Sequence, residues 1–334
     1  MKKTFYALLF MPLFLLPQKK EIAFKTFTLN PSTCNGFQSS SGSLIFVPDN
    51  AFLTEDGLAC SEKVTIKYRE FHSQTDMFYA GINMIFEDDK KYRILESIGM
   101  FEIQAWCGTK KLFLKEGKSI QVRIKTRRNL DGLMSFIYNS EKNTWSKYSS
   151  KIFDFSYREN NNKADSTNLW GSAKISPQAT ANIEYDGGVF QPGVYVAKLP
   201  EGFFKGMNIN KLGLFNYDGV IKEELAVPMV PEFFVKQDGS KIQQKIYVVY
   251  QSRNSVVYYN PDDFAEHFVL LKAKGTRIFT EFADGSVACT SSGELDKLEL
   301  ELYRNKTCKI MLEKQPLKPK SEKELIAATG LNNN

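Results

Sequence analysis

The chain has few histidines and cysteines, the residues that most often hold zinc. Its 334 residues include two histidines, His72 and His267, and five cysteines, none of which form a C-x-x-C pair. Zinc is normally held by three or four converging Cys, His or carboxylate ligands, which often come from such a pair or from closely spaced histidines. The sequence therefore predicts no metal site and no cofactor.

Signatures of several other function classes are missing as well. No Gly-x-Ser-x-Gly elbow of a serine hydrolase occurs, and no Gly-rich phosphate loop precedes a helical pattern. The net charge of +6 is modest, and the lysines are scattered among acidic residues rather than gathered on one face. These absences argue against a nucleotide-dependent enzyme, and we expect no nucleic acid among the partners.

Long hydrophobic runs are missing too, apart from one at the start of the chain. The apolar run from Phe5 to Leu16 follows Lys2 and Lys3 and is shorter than the roughly 20 residues that a spanning helix needs. A positive start and a short apolar core are typical of a secretory signal peptide. We therefore expect residues 1–18 to be a signal peptide, with export to the periplasm or to the outer membrane or cell surface. No transmembrane span is expected after its removal.

The cysteine count leaves the disulfide pairing open. In an oxidising compartment, five cysteines form at most two bridges. Cys289 and Cys308 are the first pair to consider, because both lie in one predicted C-terminal sheet. Buried free thiols are the alternative, since an unpaired cysteine packs well as a small hydrophobic residue. The five residues are Cys34, Cys60, Cys107, Cys289 and Cys308.

Alternation of apolar and polar residues dominates the rest of the chain, and it is typical of half-buried strands. The apolar members of these runs are Val64, Ile66 and Tyr68; Phe101, Ile103 and Ala105; Ile120, Val122 and Ile124; Ile246, Val248 and Tyr250; and Leu298, Leu300 and Leu302. Asp-Gly pairs, which suit tight hairpin turns, separate many of the runs. The pattern predicts a mostly β protein with two β-sandwich-like domains, a polar linker and few short helices.

Changes in composition divide the chain into segments. We expect an N-terminal β domain over 30–150 and a C-terminal β domain over 196–314. The stretch 151–195, which is rich in Asn, Ser, Ala and Gly, is predicted to be a linker or an excursion between them. A basic tail rich in Pro and Lys covers 315–334 and is predicted to contain a short helix.

Five segments, in their order and spacing, carry a resemblance to a known family. They are GSLIFVP at 42–48, VTIKYREFH at 64–72, AGINM at 80–84, ESIGMFEI at 96–103 and GKSI at 117–120. They are similar to a family of exported proteins of Bacteroidota-type bacteria, whose β domains look related to the ZU5 class of interaction modules. The resemblance is strongest over 42–125 and looser over 209–259. It implies an interaction domain and supplies no enzymatic activity.

One acid–histidine cluster stands out among the candidate site residues. Glu70 and His72 share a face of a predicted strand, about 7 Å apart by strand rise, and Asp76 follows them. Such groups can bind a metal or relay a proton, because His titrates near neutral pH. With so few histidines in the chain, we favour a structural role in which His72 bonds a loop after its strand. The three residues are kept as a possible polar site.

Two further groups of polar residues could be catalytic or bind calcium, but simpler structural roles account for them. Glu96 and Glu102 flank a turn predicted at 97–100, and paired carboxylates can serve glycoside hydrolysis. Acids at strand ends more often face solvent, and no sugar cleft is indicated. Asn216 and Asp218 are predicted to lie in a capped turn, which supplies too few oxygens for calcium. We expect none of these residues to be catalytic.

Four tyrosines concentrate in one predicted hairpin of the C-terminal half. Tyr247, Tyr250, Tyr258 and Tyr259 can form a stacking platform for a glycan or a partner protein. The alternative is cross-strand packing inside the core, which is the usual role of aromatic residues in a sheet. As a binding site, these four residues are therefore a hypothesis.

The sequence favours an exported, non-enzymatic binding or scaffolding protein of the bacterial cell envelope. It is expected to recognise another macromolecule, an envelope protein or a glycan, through a strand face or edge. The alternatives are a glycan-binding module and a hydrolase acting on envelope or extracellular polysaccharide. For a hydrolase, Glu70, His72 and Glu102 are the least implausible site.

Overall fold

The computed structural model describes residues 21–88, 91–126, 132–150, 152–157, 182–185, 188–190, 202–316 and 318–333. These residues form many strands, two α-helices and a few short 3-10 helices. The predicted mostly β, sandwich-type fold is therefore confirmed. The predicted signal peptide lies outside the described residues. Within the described ranges, no helix is long and apolar enough to cross a membrane.

The N-terminal unit reaches from residue 25 to residue 220 and contains the first sixteen strands. They are β1 (Lys25–Leu29), β2 (Asn35–Gln38), β3 (Leu44–Val47), β4 (Phe52–Thr54), β5 (Val64–Phe71), β6 (Ile85–Asp88), β7 (Lys91–Cys107), β8 (Lys110–Leu114), β9 (Ile120–Thr126), β10 (Met134–Asn139), β11 (Thr144–Tyr148), β12 (Phe153–Tyr157), β13 (Asn182–Tyr185), β14 (Gly188–Phe190), β15 (Gly202–Ile209) and β16 (Gly213–Val220). The helix α1 (Gln74–Ala80) lies between β5 and β6.

The C-terminal unit contains the remaining strands. They are β17 (Ala226–Pro228), β18 (Val230–Val235), β19 (Ile246–Tyr250), β20 (Ser255–Tyr259), β21 (Val269–Leu271), β22 (Thr276–Glu281), β23 (Val287–Cys289) and β24 (Thr307–Lys314). The 3-10 helices are Glu223–Leu225, Pro261–Asp263, Leu295–Lys297 and Leu300–Tyr303. The helix α2 (Glu322–Thr329) lies in the tail, with Ser321 as its N-cap and Gly330 as its C-cap.

Two sheets pack face to face in the N-terminal unit. One has the order β1-β5-β7-β16-β10-β11-β6, with β8 joining β7 to β4, and β6 also pairs with β7. The other has the order β12-β15-β9-β3-β2-β13-β14. The alternation predicted for β5 places Val64, Ile66 and Tyr68 in the core between the sheets, against residues such as Val122 and Ile124. This is the packing expected of a β-sandwich.

The C-terminal sheet has the order β18-β24-β23-β22-β19-β20 and is covered on both faces. On one face, Val248 and Val257 join a core shared with the N-terminal unit. On the other, Tyr247 packs with Phe78 of α1 and with Leu325 of α2. A second, two-stranded sheet pairs β17 with β21. The two units are therefore joined by a continuous apolar core.

The division between the units differs from the predicted one. The range predicted as a linker contains β12, β13 and β14. The strand β12 pairs with β15, whereas β13 pairs with both β2 and β14. The strands β15 and β16 fall within the range predicted for the C-terminal domain, but both pair with strands of the N-terminal unit. The strand β15 pairs with β9, and β16 pairs with β7 and β10. Local polarity cannot reveal such pairings, because they join residues that are distant in sequence. The C-terminal unit begins after Val220.

One predicted strand is wrong. Leu298, Leu300 and Leu302 were expected to share the buried face of a strand, but the chain forms the 3-10 helices Leu295–Lys297 and Leu300–Tyr303 here. Leu300 is buried while Leu302 is 59% exposed, which residues on one strand face would not show. The spacing of the leucines therefore reflects two short helical turns.

Candidate functional site

Glu70 lies near the end of β5, and His72 directly follows the strand. Their side chains share a face, and His72 Nε2 lies 2.5 Å from Glu70 Oε2. The Glu70 side chain is only 7% exposed, whereas that of His72 is 37% exposed. The His72 ring therefore bonds Glu70, two residues back along the chain.

The Glu70 carboxylate is surrounded by hydrogen-bond donors. The hydroxyls of Ser39 and Tyr68 donate to Oε1 at 2.9 and 2.7 Å, and that of Ser41 donates to Oε2 at 2.5 Å. Burial alone would raise the pKa of Glu70, but the hydrogen bond and charge of His72, with these hydroxyls, hold the pKa below its usual value. Two of these four groups, Ser39 and Ser41, tie the carboxylate to the β2–β3 turn, and together the four leave it poorly placed to act as a base.

Asp76 does not join this pair. Its carboxylate accepts hydrogen bonds from the backbone N–H groups of His72 and Ser73, both at 3.0 Å, and completes the capping box of α1. This is a helix-start role, since the first N–H groups of a helix lack internal partners. Within the described residues, no three His, Cys, Asp or Glu side chains converge in a way that could hold a metal ion.

The turn predicted at 97–100 is wrong, because these residues continue β7. Ser97 pairs with Asp218 and Gly99 with Tyr217, so Ile98 is the extra residue of a β-bulge. A Cβ atom on Gly99 would lie 2.9 Å from Ile124 Cγ2, so the glycine lets the two sheets approach closely. A bulge and a packed glycine thus explain the residues that look like a turn.

Glu96 and Glu102 are each engaged by an arginine. Glu102 Oε2 accepts hydrogen bonds from Arg69 Nε and Nη2 at 2.8 and 2.6 Å. Glu96 Oε2 accepts one at 2.7 Å from Arg253 Nη1 of the C-terminal unit. Because Glu96 is buried, the expectation that this acid faces solvent is wrong. Neither carboxylate is placed as one of a free catalytic pair.

A buried polar cluster that the sequence did not indicate lies beside the bulge. Ser97 Oγ donates to Asn216 Oδ1 at 2.8 Å, and Asn216 Nδ2 donates to Asp218 Oδ2 at 2.5 Å. Asn216 and Asp218 lie in β16, so the capped turn predicted for them is wrong. Burial raises the pKa of Asp218 well above its usual range, and the charge of Glu96 raises it further. We name Glu96, Ser97, Asn216 and Asp218 the bulge cluster.

Two amides fasten this region to the C-terminal unit. Asn254 Nδ2 donates to the carbonyls of His72 and Ser97, both at 3.1 Å. Gln74 Nε2 donates to the carbonyls of Tyr250 and Arg253, both at 2.8 Å. These bonds place the conspicuous polar residues of β5 and β7 at a structural junction. The most direct reading of the region is therefore architectural.

The four tyrosines do not form an exposed platform. Tyr247, Tyr250, Tyr258 and Tyr259 are 8%, 0%, 7% and 1% exposed. The Tyr259 hydroxyl donates to the carbonyl of Val269 at 2.9 Å, which satisfies it inside the core. They are buried because the shared core covers one face of β19 and β20 and the helices cover the other. The stacking-platform interpretation is therefore wrong.

Exposed apolar side chains occur instead on the outer side of the N-terminal unit. Phe113 of β8 lies opposite Leu53 of β4, which in turn lies opposite Ala59. Phe113 is 45% exposed, and Leu58 in the adjoining turn is 63% exposed. We name β4, β8 and residues 55–60 the apolar flap. An open pocket of about 690 Å³ lies beside it, lined in part by Leu53 and Ala59.

Exposed lysines accompany these apolar residues. Lys111 and Lys115 stand two positions from Phe113 and are exposed, as is Lys63 at the pocket. Alternation along the strand places Lys111 and Phe113 on one face. Trp106 of β7 is the cross-strand partner of Lys111. The Lys67 ammonium lies over the Trp106 ring, 5.3 Å from the ring centre. The flap thus combines apolar side chains with positive charge.

A disulfide holds the base of the flap. Cys60, which precedes β5, is bonded to Cys107 at the end of β7, and Cys107 pairs with Val64, the first residue of β5. Cys289 and Cys308 are buried free thiols, so the pairing considered first is wrong, and Cys34 is free as well. Burial raises the pKa of the Cys289 thiol, which disfavours the reactive thiolate.

Comparison with protein-family models, with curated proteins and with solved structures finds no match to this chain. The candidate site therefore rests on the geometry of the chain itself. Of the two regions described, the bulge cluster is internal and the apolar flap is accessible.

Proposed function

We propose that this chain is an exported, non-enzymatic protein of the bacterial cell envelope that binds or scaffolds another macromolecule through the apolar flap. The observation that carries the proposal is the exposure of Leu58 and Phe113 on neighbouring segments whose base is fixed by a disulfide. Large exposed apolar groups beside polar side chains are a mark of interaction surfaces. A rigid base also lowers the entropy lost on binding.

The engagement of the acidic residues supports binding over turnover. Glu70 accepts four hydrogen bonds, Glu102 is paired with Arg69, and Glu96 is paired with Arg253. A general acid or base must reach the proton that it transfers, and these carboxylates are directed at internal partners. The residues nominated for a hydrolase thus have structural tasks in this fold.

The chemistry of the flap favours a protein as the partner. Leu53, Leu58 and Ala59 are aliphatic, and aliphatic side chains complement the apolar residues of a protein surface. The exposed Lys111 and Lys115 add attraction for acidic side chains at the rim of such a contact. We therefore propose a protein partner with apolar and acidic residues.

Export is supported by two independent features. The N-terminal pattern of Lys2, Lys3 and a short apolar core is that of a signal peptide. The Cys60–Cys107 disulfide fits an oxidising compartment, since such bonds are rare in the cytosol. Fractionation of cells that produce the tagged full chain, with sequencing of the mature N-terminus, tests the location. A protein that stays in the cytosol with residues 1–18 intact contradicts it.

The binding proposal is tested with a photo-crosslinking amino acid placed at position 55 of the apolar flap, in the tagged full chain. Exposure to envelope fractions should yield a specific crosslinked protein, which the Leu58→Ser/Phe113→Ser variant no longer binds. The matched control is Leu302→Ser, which removes an apolar side chain whose exposure, 59%, lies between those of Phe113 and Leu58, but which belongs to the C-terminal unit. Equal loss with both variants, binding to polysaccharide alone, or turnover of polysaccharide would each contradict the proposal.

A further inference from the structure

The C-terminal segment 318–333 is attached to both units of the protein. It follows β24, the last described strand, and contains α2, which lies over β22 and β23. Its far end reaches the N-terminal unit, where the backbone N–H and the hydroxyl of Thr75 in α1 both donate to the carbonyl of Asn332, at 3.2 and 2.9 Å. Gln251 of the C-terminal unit donates to the carbonyl of Gly330 at 2.9 Å. We name residues 318–333 the C-terminal strap.

A buried leucine anchors the far end of the strap. Leu331 is 2% exposed and belongs to an apolar cluster with Phe78 of α1 and Tyr247 of β19. The preceding Gly330 has a φ angle of 79°, and a Cβ atom there would lie 2.5 Å from Arg277 Cδ. The backbone of the strap therefore sits directly on the Arg277 side chain. This end of the strap is held by close packing as well as by hydrogen bonds.

The helical part of the strap is packed less closely. In α2, Leu325 and Ile326 are only half-buried. An open pocket of about 130 Å³ is lined by Leu325 together with Val287 of β23. Before the helix, Lys318 Nζ lies 3.7 Å from Asp284, and such an exposed ion pair contributes little to stability. Close packing is therefore concentrated in residues 329–331.

The strap can leave the sheet without disrupting it. The helix α2 keeps its own caps, because Ser321 Oγ accepts a hydrogen bond from the Glu324 N–H at 3.3 Å. At its other end, the Gly330 N–H donates to the carbonyl of Ile326 at 2.9 Å. Since β24 ends at Lys314, opening of the strap breaks none of the strand pairings that the structure describes. Segments with few buried apolar side chains open at a lower free energy than the whole protein.

Two buried thiols lie on opposite faces of the C-terminal sheet, and one of them faces the strap. Cys289 of β23 belongs to the same apolar cluster as Leu331, and its Sγ accepts a hydrogen bond from Arg277 Nη2 at 3.3 Å. Cys308 of β24 belongs to the core shared with the N-terminal unit. Both cysteines are 2% exposed, and burial raises the pKa of both thiols. Their relative reactivity therefore reports which face of the sheet becomes accessible.

We propose that the C-terminal strap is a reversible clasp, which opens as a unit and uncovers Tyr247 and Cys289 while the sheet beneath it stays folded. The closed strap ties α1 of the N-terminal unit to the C-terminal sheet through Thr75 and Leu331. Opening releases α1 on this side of the molecule and leaves the shared core intact. The strap has no residue in common with the apolar flap, so this inference stands apart from the proposed function.

The test is alkylation of the folded full chain by N-ethylmaleimide, followed by peptide mapping with mass spectrometry. The rate of each thiol is divided by its rate in the unfolded chain, which removes differences in intrinsic reactivity. Cys289 should then react at least about tenfold faster than Cys308, because local opening is more frequent than global unfolding. Its rate should also rise less steeply with urea, since opening of the strap exposes less surface. Hydrogen exchange of the full chain should likewise be at least about tenfold faster in α2 than in β19.

Two substitutions separate opening of the strap from unfolding of the sheet. Leu331→Ala should raise the rate at Cys289 at least about thirtyfold, as expected for truncation of a buried leucine. Ile310→Val, on the face of β24 that carries Cys308, should raise the rate at Cys308 about fivefold and leave that at Cys289 unchanged. Lys323→Ala, which truncates an exposed side chain of the strap, is the matched control and should change neither rate.

A chain whose strap opens only by global unfolding gives a different result. Cys289 and Cys308 would then react at the same normalised rate with the same urea dependence, and Ile310→Val would accelerate both. Either outcome would overturn the proposal, as would a rate at Cys289 that does not respond to Leu331→Ala. Hydrogen exchange in α2 that is as slow as in β19 would overturn it without recourse to any variant.

Discussion

Glu96 of the N-terminal unit accepts a 2.7 Å hydrogen bond from Arg253 of the C-terminal unit, and the two side chains differ sharply in burial. Glu96 is 7% exposed, whereas Arg253 is 37% exposed. The arginine thus reaches from the surface to an acid that lies beside Asp218 in the bulge cluster. This ion pair joins the two units at the point where their polar residues meet.

We expect Arg253→Gln to destabilise the protein by about 2 kcal/mol, because it removes the cation that offsets the buried charge of Glu96. In a double-mutant cycle with Glu96→Gln, the coupling energy should be about 1 kcal/mol. Urea denaturation of the four proteins measures it. The exposed pair Lys222–Glu224 is the matched control and should show coupling near zero. Equal coupling in both cycles would contradict a special role for the junction pair.

The buried carboxyl of Asp218 should give the protein a pH-dependent stability. An unfolded Asp loses its proton near pH 3.9, whereas the raised pKa of Asp218 means that the folded protein keeps it to higher pH. Between these two values unfolding releases a proton, so the free energy of unfolding falls as the pH rises. The protonated Asp218 carboxyl therefore contributes its full stabilisation only below about pH 3.9, where the unfolded chain is protonated as well.

Asp218→Asn should remove this decline, because an amide cannot ionise. The difference in free energy of unfolding between variant and wild type should shift in favour of the variant as the pH rises from 4.5 to 7.5, by up to about 1.4 kcal/mol per pH unit. Asp284→Asn is the control, because this exposed acid lies in a turn and its pKa is lowered to about 2. Replacing Asp284 should therefore leave the decline of the free energy of unfolding with rising pH in place. Parallel pH profiles of Asp218→Asn and wild type would count against the assignment.

Gly99 should tolerate no larger side chain. Gly99→Ala places a Cβ atom 2.9 Å from Ile124 Cγ2 of the facing sheet, and such overpacking costs about 1–3 kcal/mol. Gly219→Ala is the matched control, because no atom lies within 4 Å of the added Cβ in the adjoining strand. It should change the stability by less than about 0.5 kcal/mol. Thermal unfolding of both variants measures the difference. Equal stabilities of the two variants would contradict the close approach of the facing sheets at Gly99.

Residue periodicity predicts the strands well where one face of a sheet is exposed. The inward residues of β5 are fully buried, as their alternation with Thr65 and Lys67 indicates. Periodicity fails where both faces of a sheet are covered, because every residue of the strand is then buried, as in β20. In such a strand, a high content of aromatic residues does not indicate an exposed surface. The tyrosine platform was mistaken for this reason.

Pairings between distant residues are the second part that the sequence could not supply. Ile98 is a bulge only because β16 opposes β7, and the sequence around Gly99 resembles a turn when it is read alone. The bulge cluster depends on the same pairing, which brings Ser97 beside Asn216 and Asp218. By contrast, Glu70 and His72 stand two residues apart in the sequence, so their contact requires no pairing between distant residues.

The Cys60–Cys107 bridge should make a large contribution to stability. It closes a loop of 47 residues, and restricting such a loop in the unfolded chain corresponds to about 4 kcal/mol at 25 °C. Reduction of the wild type should therefore lower its free energy of unfolding by roughly 2–4 kcal/mol. Cys60→Ser/Cys107→Ser should be destabilised to a similar extent and become insensitive to reductant.

Cys34→Ser is the control for this experiment, because Cys34 is a free thiol and its replacement should leave the response to reductant unchanged. Titration of the unfolded wild-type chain without reductant should detect the thiols of Cys34, Cys289 and Cys308 only. Since the bridge anchors Cys60 at the end of the apolar flap, the Cys60→Ser/Cys107→Ser variant should also yield less crosslinked partner at position 55. Detection of a bridge between Cys289 and Cys308, or a wild type whose stability ignores reductant, would contradict the assignment.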